Sequence, residues 1–159
     1  MKKFFAFFVS VVVIFLDQLT KHWAMTHVMP YEPVPCLPML NWTLAFNSGS
    51  AFNFLSHAGD WHTWFFLGFS GLMSIVIMVW IIRLSTQAKL ELFALSLILG
   101  GALGNLIDRI RLGYVVDFID VFYKNHHWPS FNIADSAICM GGVLLLIDLL
   151  MSQRARSSE

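Results

Sequence analysis

Met1-Lys2-Lys3-Phe4-Phe5-Ala6-Phe7-Phe8-Val9-Ser10-Val11-Val12-Val13-Ile14-Phe15-Leu16, running straight into Asp17-Gln18-Leu19-Thr20-Lys21, is the stretch on which the fold turns. A basic start and an apolar run imitate a secretory leader, but no small-x-small cleavage site follows. We read it as a retained first transmembrane helix, about residues 4–24. Three further apolar segments follow it, at about 61–82, 90–107 and 134–152. The last has its apolar centre at Ala137–Met151 and reaches span length only if it begins near Asn132. Each is close to the roughly 20 residues that cross about 30 Å of hydrocarbon at about 1.5 Å per residue. Four spans place both termini on one side of the membrane.

Composition agrees with this reading. Of 159 residues, 57% are hydrophobic and only 13% charged, with a mean hydropathy of +0.67. A soluble domain of this size could not hide that much apolar surface. The expected organisation is one integral-membrane domain over 1–159. Formal net charge is zero, so nothing points to nucleic acid. Cys36 and Cys139 fall at different expected depths, which argues against a mutual disulfide.

The positive-inside rule sets the orientation. Lys2, Lys3, Arg83, Lys89, Arg154 and Arg156 all fall on one side, which is therefore cytoplasmic. The first connection, Thr26 to Asp60, has no Lys or Arg and faces outward. The third, about Asp108 to Ser130, also faces outward although it carries Arg109, Arg111 and Lys124. An ion pair of Arg109 with Asp108, or a substrate contact, explains that exception better than topology does.

The outer connections have strand composition. Asn41-Trp42-Thr43-Leu44-Ala45-Phe46 and Tyr114 to Phe122 are rich in β-branched and aromatic residues. Pro30, Pro33, Pro35 and Pro38 break any helix before the first of them. The expected fold class is membrane all-α with a small β element: four helices and a small sheet cradled on the outer face. Phe52, Phe54, Trp61 and Trp64 suit an aromatic belt at that boundary.

Two aspartates flank the last two spans from the outside. Asp117 lies in Gly113-Tyr114-Val115-Val116-Asp117-Phe118, and Asp135 in Phe131-Asn132-Ile133-Ala134-Asp135-Ser136. Topology brings both to one depth. Carboxylates near hydrocarbon are costly and usually functional. Two in contact share a proton and titrate as a unit. That is what peptide hydrolysis needs, one carboxylate to activate water and one acid to polarise the carbonyl. Spacing alone equally allows Asp135 as a helix N-cap and Asp117 as a solvated loop residue.

Other motifs have two readings as well. Asp17 and Lys21 stand at i and i+4 and can pair, either to neutralise each other at the interface or to tether substrate. Asn47-Ser48-Gly49-Ser50-Ala51-Phe52 is a loop in which Gly49 permits close approach or positive φ. In Gly100 to Arg109, the small residues favour tight helix packing. Asn105 and Asp108 share a helix face there, and Arg109 can reach a carboxylate or a lipid phosphate. Asp120 competes with Asp117, but three residues apart on a regular strand they face opposite ways. His57, His62, His126 and His127 lack a zinc spacing, so no metal and no cofactor is expected.

These stretches together resemble the bacterial lipoprotein signal peptidase (signal peptidase II) family. The resemblance is carried by Asp17-Gln18-Leu19-Thr20-Lys21, Asn47 to Phe52, Gly104 to Arg109, Val115 to Phe118 and Phe131 to Asp135, in the family's order. It implies a membrane aspartic endopeptidase that removes signal peptides from diacylglyceryl-modified prolipoproteins, just before the lipidated Cys. It implies that Asp117 and Asp135 are catalytic. It further implies that Asp17, Lys21, Asn47, Gly49, Asn105, Asp108, Arg109, Asn132 and Ala134 shape the pocket. A monomer is expected, in the bacterial cytoplasmic (inner) membrane with its site near the periplasmic face. Its partners would be prolipoprotein substrates and membrane lipids. Ser50 and Asn53 stand where the family more often has Ala and Ser. The rival classes are a small transporter or proton channel, argued against by acidic residues gathered at one face, and a non-catalytic assembly factor, which leaves the paired Asp motifs unexplained.

Overall fold

The computed structural model describes residues 3–49 and 61–157. Lys2, Ser50, Phe52, Asn53, Phe54 and His57, which entered the reading above, lie outside the described residues, as do the side chains of His62, Arg154 and Arg156. Four long helices carry the chain: α1 (Lys3–His27), α2 (Trp61–Arg83), α3 (Lys89–Leu112) and α4 (Ile133–Ser157). All four are long and apolar enough to cross a membrane. Between them lie β1 (Val34–Leu37), β2 (Leu40–Asn47), β3 (Val115–Tyr123) and β4 (His126–His127).

The strands form one antiparallel sheet in the order β1-β2-β3-β4. β2 and β3 fall where strand composition placed them. β1 and β4 had no such signal: β1 contains Pro35 and is fully exposed, a place open to proline only because it is an edge strand. The β2–β3 register shifts between Trp42 and Ala45, so β2 carries a bulge. Before it Asn41 lies opposite Asp120, and past it Ala45 lies opposite Asp117.

Helix α3 is the axle. On one side Leu92, Leu95 and Leu99 pack with Ala6 of α1 and with Ile77 and Ile81 of α2. Leu97 packs with Val13 and Ala137. Its glycines let two neighbours approach to backbone distance. A Cβ on Gly100 would sit 2.8 Å from the Ser10 carbonyl of α1, and one on Gly101 2.3 Å from the Ala134 carbonyl of α4. Replacement of Gly101 by Ala pushes α4 away at its first turn. We expect Gly101→Ala to lower stability by about 1–3 kcal/mol, as overpacking does, read as a drop in thermal unfolding temperature in detergent.

The third span runs beyond its expected end. It was placed at 90–107, but the helix continues to Leu112 and stops at Gly113, whose left-handed φ of 83° lets its N–H bond the Arg109 carbonyl at 3.1 Å. Asp108 and Arg109 therefore sit inside the helix, because side chains of α1 and α2 satisfy them. The fourth helix begins at Ile133, which gives it span length. The sheet is seated on α1: Ala24 and Val28 pack against Leu44, Val116 and Phe118. At the other end of the bundle, the Lys3 ammonium bonds the carbonyl of Ile82. Much of the outward surface is large and apolar, with Phe15, Trp64, Phe69, Leu72, Val143 and Leu146 all exposed. That is the surface lipid would solvate, since the backbone polar groups are satisfied inside the helices.

Candidate active site

Asp117 is held on β3, five residues past the end of α3, and is only 2% exposed. It is not a solvated loop residue. Its Oδ1 accepts from Asn132 Nδ2 at 2.7 Å and its Oδ2 from Asn47 Nδ2 at 3.1 Å. Asn47 is itself fixed at the end of β2, where its Oδ1 accepts the Gly49 N–H at 2.9 Å. Gly49 has φ +92°, and a Cβ there would lie 2.3 Å from the Phe66 ring of α2. Both facts bar a side chain.

Asp135 stands in the first turn of α4 but is not the cap. Asn132 caps the helix: its Oδ1 accepts the Asp135 N–H at 2.9 Å. Asp135 Oδ2 returns the bond by accepting the Asn132 N–H at 3.3 Å. This is a capping box with Asp in the position usually held by Glu or Gln. Its placement at a helix N-terminus favours a negative charge. The second oxygen, Oδ1, accepts from Asn105 Nδ2 at 2.8 Å.

Two asparagines thus tie the aspartates together. Asn132, wholly buried, donates from Nδ2 to Asp117, to Asn105 Oδ1 at 3.3 Å and to the Val116 carbonyl at 3.2 Å. Asn105 joins that amide to Asp135. Burial raises the Asp117 carboxyl to a pKa of about 7, and the neighbouring charge of Asp135 adds to the rise. The bonds from Asn47 and Asn132 and the charge of Lys21 pull it partly back.

Asp17 and Lys21 do pair, at 2.9 Å, but not at an exposed interface. Both are buried, and Lys21 also binds Asp108 at 2.8 Å. This corrects the expected ion pair of Arg109 with Asp108. Arg109 lies on another face of α3, and among the described residues it makes no ion pair. Its Nη1 donates to Ser70 Oγ of α2 at 3.3 Å and to the Asn105 carbonyl at 3.5 Å. The guanidinium carbon stands 5.8 Å from the Phe66 ring centroid. Ala134 contributes through its backbone, its N–H donating to Asp17 Oδ1 at 2.9 Å.

Asp120 is held elsewhere, by Asn41 at 2.8 Å and by His127 at 2.8 Å. Among the described residues no group of three His, Cys, Asp or Glu side chains is placed to hold a metal ion. Three residues of the site had gone unremarked: Gln18, Phe66 and Ser70. Gln18 shares a motif with Asp17 and Lys21, so its helix position was a usable signal. Phe66 and Ser70 lie in an otherwise uniform apolar helix and gave none.

The chain is similar to known proteins along nearly its whole length. The chain is 57% identical over 152 residues to a lipoprotein signal peptidase of Acinetobacter baumannii, covering 94% of this chain and 86% of that protein. It is 46% identical over 151 residues to one of Polynucleobacter necessarius subsp. necessarius, covering 95% and 92%. A solved structure, described as a bacterial membrane enzyme structure by the in meso method at 2.3 Å resolution, superposes with a TM-score of 0.81 at 34% identity. It covers 93% of this chain and 88% of that one. The sequence model described as Signal peptidase (SPase) II, Peptidase_A8, matches residues 9–151. With nearly the whole chain matched, the chain belongs to the signal peptidase II family.

Proposed function

We propose that this membrane hydrolase cuts the signal peptide from prolipoproteins whose Cys carries diacylglyceryl, just before that Cys, with Asp117 and Asp135 as its catalytic pair. The observation that carries the reading is the bonded chain Asp117–Asn132–Asn105–Asp135 at the junction of sheet and bundle. It holds two carboxyl groups on separate elements close enough for Asp117 to feel the charge of Asp135. A lipid-anchored substrate stays in the bilayer, and its acyl chains add roughly 0.8 kcal/mol per buried CH₂. The scissile bond then lies near the interface, at the depth of the pair. The basic residues Lys3, Arg83 and Lys89 at the opposite end of the bundle make that end cytoplasmic. The sheet and site then face the periplasm from a bacterial inner membrane, in a protein acting as a monomer.

Asp117, its pKa raised to about 7, carries the proton of the pair below that pH. Asp135, at the helix N-terminus, is the carboxylate. Asp135 takes a proton from water as its oxygen adds to the scissile carbonyl carbon. Asp117 gives its proton to the carbonyl oxygen. As the tetrahedral intermediate collapses, the C–N bond breaks, the proton held by Asp135 passes to the departing amine of the Cys, and a hydroxyl of the intermediate returns its proton to Asp117 as the new carboxyl group forms. Asn132 fixes Asp117, and Arg109 offers its remaining N–H groups to the substrate backbone.

The pH dependence follows from this assignment. Loss of the Asp117 proton removes the acid, so kcat/KM falls as pH rises through about 7. Asn47 holds that pKa down. Asn47→Ala therefore moves the alkaline limb to higher pH, besides lowering its plateau. The check is initial rates of cleavage of a diacylglyceryl-modified prolipoprotein against pH, with the unlipidated form as control. An alkaline limb that stays in place in Asn47→Ala contradicts the assignment of Asp117 as the acid.

A further inference from the structure

Lys21 is not used in the reaction just described, yet it lies at the centre of the polar network. It is 1% exposed. An ammonium has three N–H groups, and all three are taken: Asp17 Oδ2 at 2.9 Å, Asp108 Oδ2 at 2.8 Å and Asn105 Oδ1 at 2.9 Å. Nothing remains with which to hold substrate, so a tether is excluded.

Its partners have a common task. Asp108 Oδ2 accepts, at 3.1 Å, the N–H of Val116, the residue immediately before Asp117. Asp17 Oδ1 accepts, at 2.9 Å, the N–H of Ala134, the residue immediately before Asp135. Asn105 is turned by its contacts. Its oxygen accepts from Lys21 and Asn132, which leaves its NH₂ facing Asp135. Gln18 closes the back of the cluster, donating to Asp108 Oδ1 at 2.8 Å and to Asp17 Oδ2 at 3.3 Å.

We infer that Lys21 is a positioning residue that sets the separation and facing of the two aspartates. It does so by holding, through Asp108 and Asp17, the backbone N–H that precedes each of them. The inference rests on the catalytic reading of Asp117 and Asp135 and adds the device that spaces them. A β-strand leaving α3 and a helix starting α4 have no covalent reason to present their side chains to each other. One buried cation between two carboxylates supplies it. Removing the cation leaves both carboxylates uncompensated in a dry site, which drives them apart.

The test is cleavage kinetics of the intact protein in detergent on a diacylglyceryl-modified prolipoprotein, with Lys21→Met, Lys21→Arg and Asp117→Asn beside wild type. Lys21→Met is expected to lower kcat by about 100-fold while KM stays within about threefold, since misplacing reacting groups costs rate rather than affinity. Its alkaline limb moves to higher pH, because the charge of Lys21 helps hold the Asp117 proton down. Lys21→Arg keeps the charge, leaves the limb in place and recovers part of kcat. A kcat within about threefold of wild type in folded Lys21→Met, or a loss carried by KM alone, overturns the inference. Should Lys21→Met fail to fold, Asp17→Asn and Asp108→Asn keep an oxygen for each N–H. Each is expected to lower kcat, and the double variant to lose less than the product of the two, because both act through one ammonium. Fully multiplicative losses overturn the shared hub. Cleavage by Asp117→Asn overturns the catalytic pair itself, independently of Lys21.

Discussion

Asp117→Asn and Asp135→Asn each abolish cleavage of lipidated prolipoprotein, with kcat reduced by at least about 10³-fold in folded protein. An amide at 117 has no acidic proton to give the carbonyl oxygen. An amide at 135 cannot take one from water. Substantial residual turnover in a pure sample of either variant would end the assignment. The same substitution has a second signature. Asp117 titrates near 7 in the folded chain and from 3.8 as a free side chain. Between those values the folded state keeps a proton that the unfolded state has lost. Wild type therefore holds a stability increment in acid and loses it as pH rises through about 7. In Asp117→Asn that slope is missing. Thermal unfolding followed by tryptophan fluorescence from pH 4 to 8 separates the two curves, and parallel curves would mean that Asp117 titrates normally.

The next largest effect belongs to Asn132→Ala. This buried amide serves two purposes, and alanine removes both. Loss of the cap on α4 costs about 1–2 kcal/mol. Loss of the 2.7 Å bond to Asp117 frees that carboxyl to turn, and kcat is expected to fall by roughly 100-fold. Asn132→Ser tells the purposes apart. A serine oxygen still caps the helix, so the unfolding temperature recovers, while kcat stays low because no NH₂ reaches Asp117. Recovery of kcat together with stability would show that Asn132 matters only as a cap.

Much of this arrangement was legible before any coordinates, for physical reasons. Long apolar runs have few alternatives, so the four helices and the two central strands, Leu40–Asn47 and Val115–Tyr123, stood out. Helix ends were harder. Polar residues normally mark a boundary, but Asp108 is absorbed by Lys21 of α1, so α3 runs on past it. The partner of Arg109 was misread for the same reason: adjacency in sequence put it beside Asp108, whereas the helix turns the two to different neighbours. The edge strands depend on pairing with β2 and β3 rather than on their own composition. Asp135 read as a possible cap because cap and N3 positions prefer similar residues. Only the reciprocal bonds with Asn132 distinguish them.

The Asp17–Lys21–Asp108 cluster also has a bearing on biosynthesis. The first helix to leave the ribosome already contains a cation and an anion one turn apart, so it can enter the bilayer without a naked charge. Its unspent groups await partners made later: Asp108, 87 residues after Lys21, and the Ala134 N–H, 117 residues after Asp17. The bracing of Asp117 and Asp135 is therefore incomplete in a chain that ends before α4. It is completed only when α4 docks against α1.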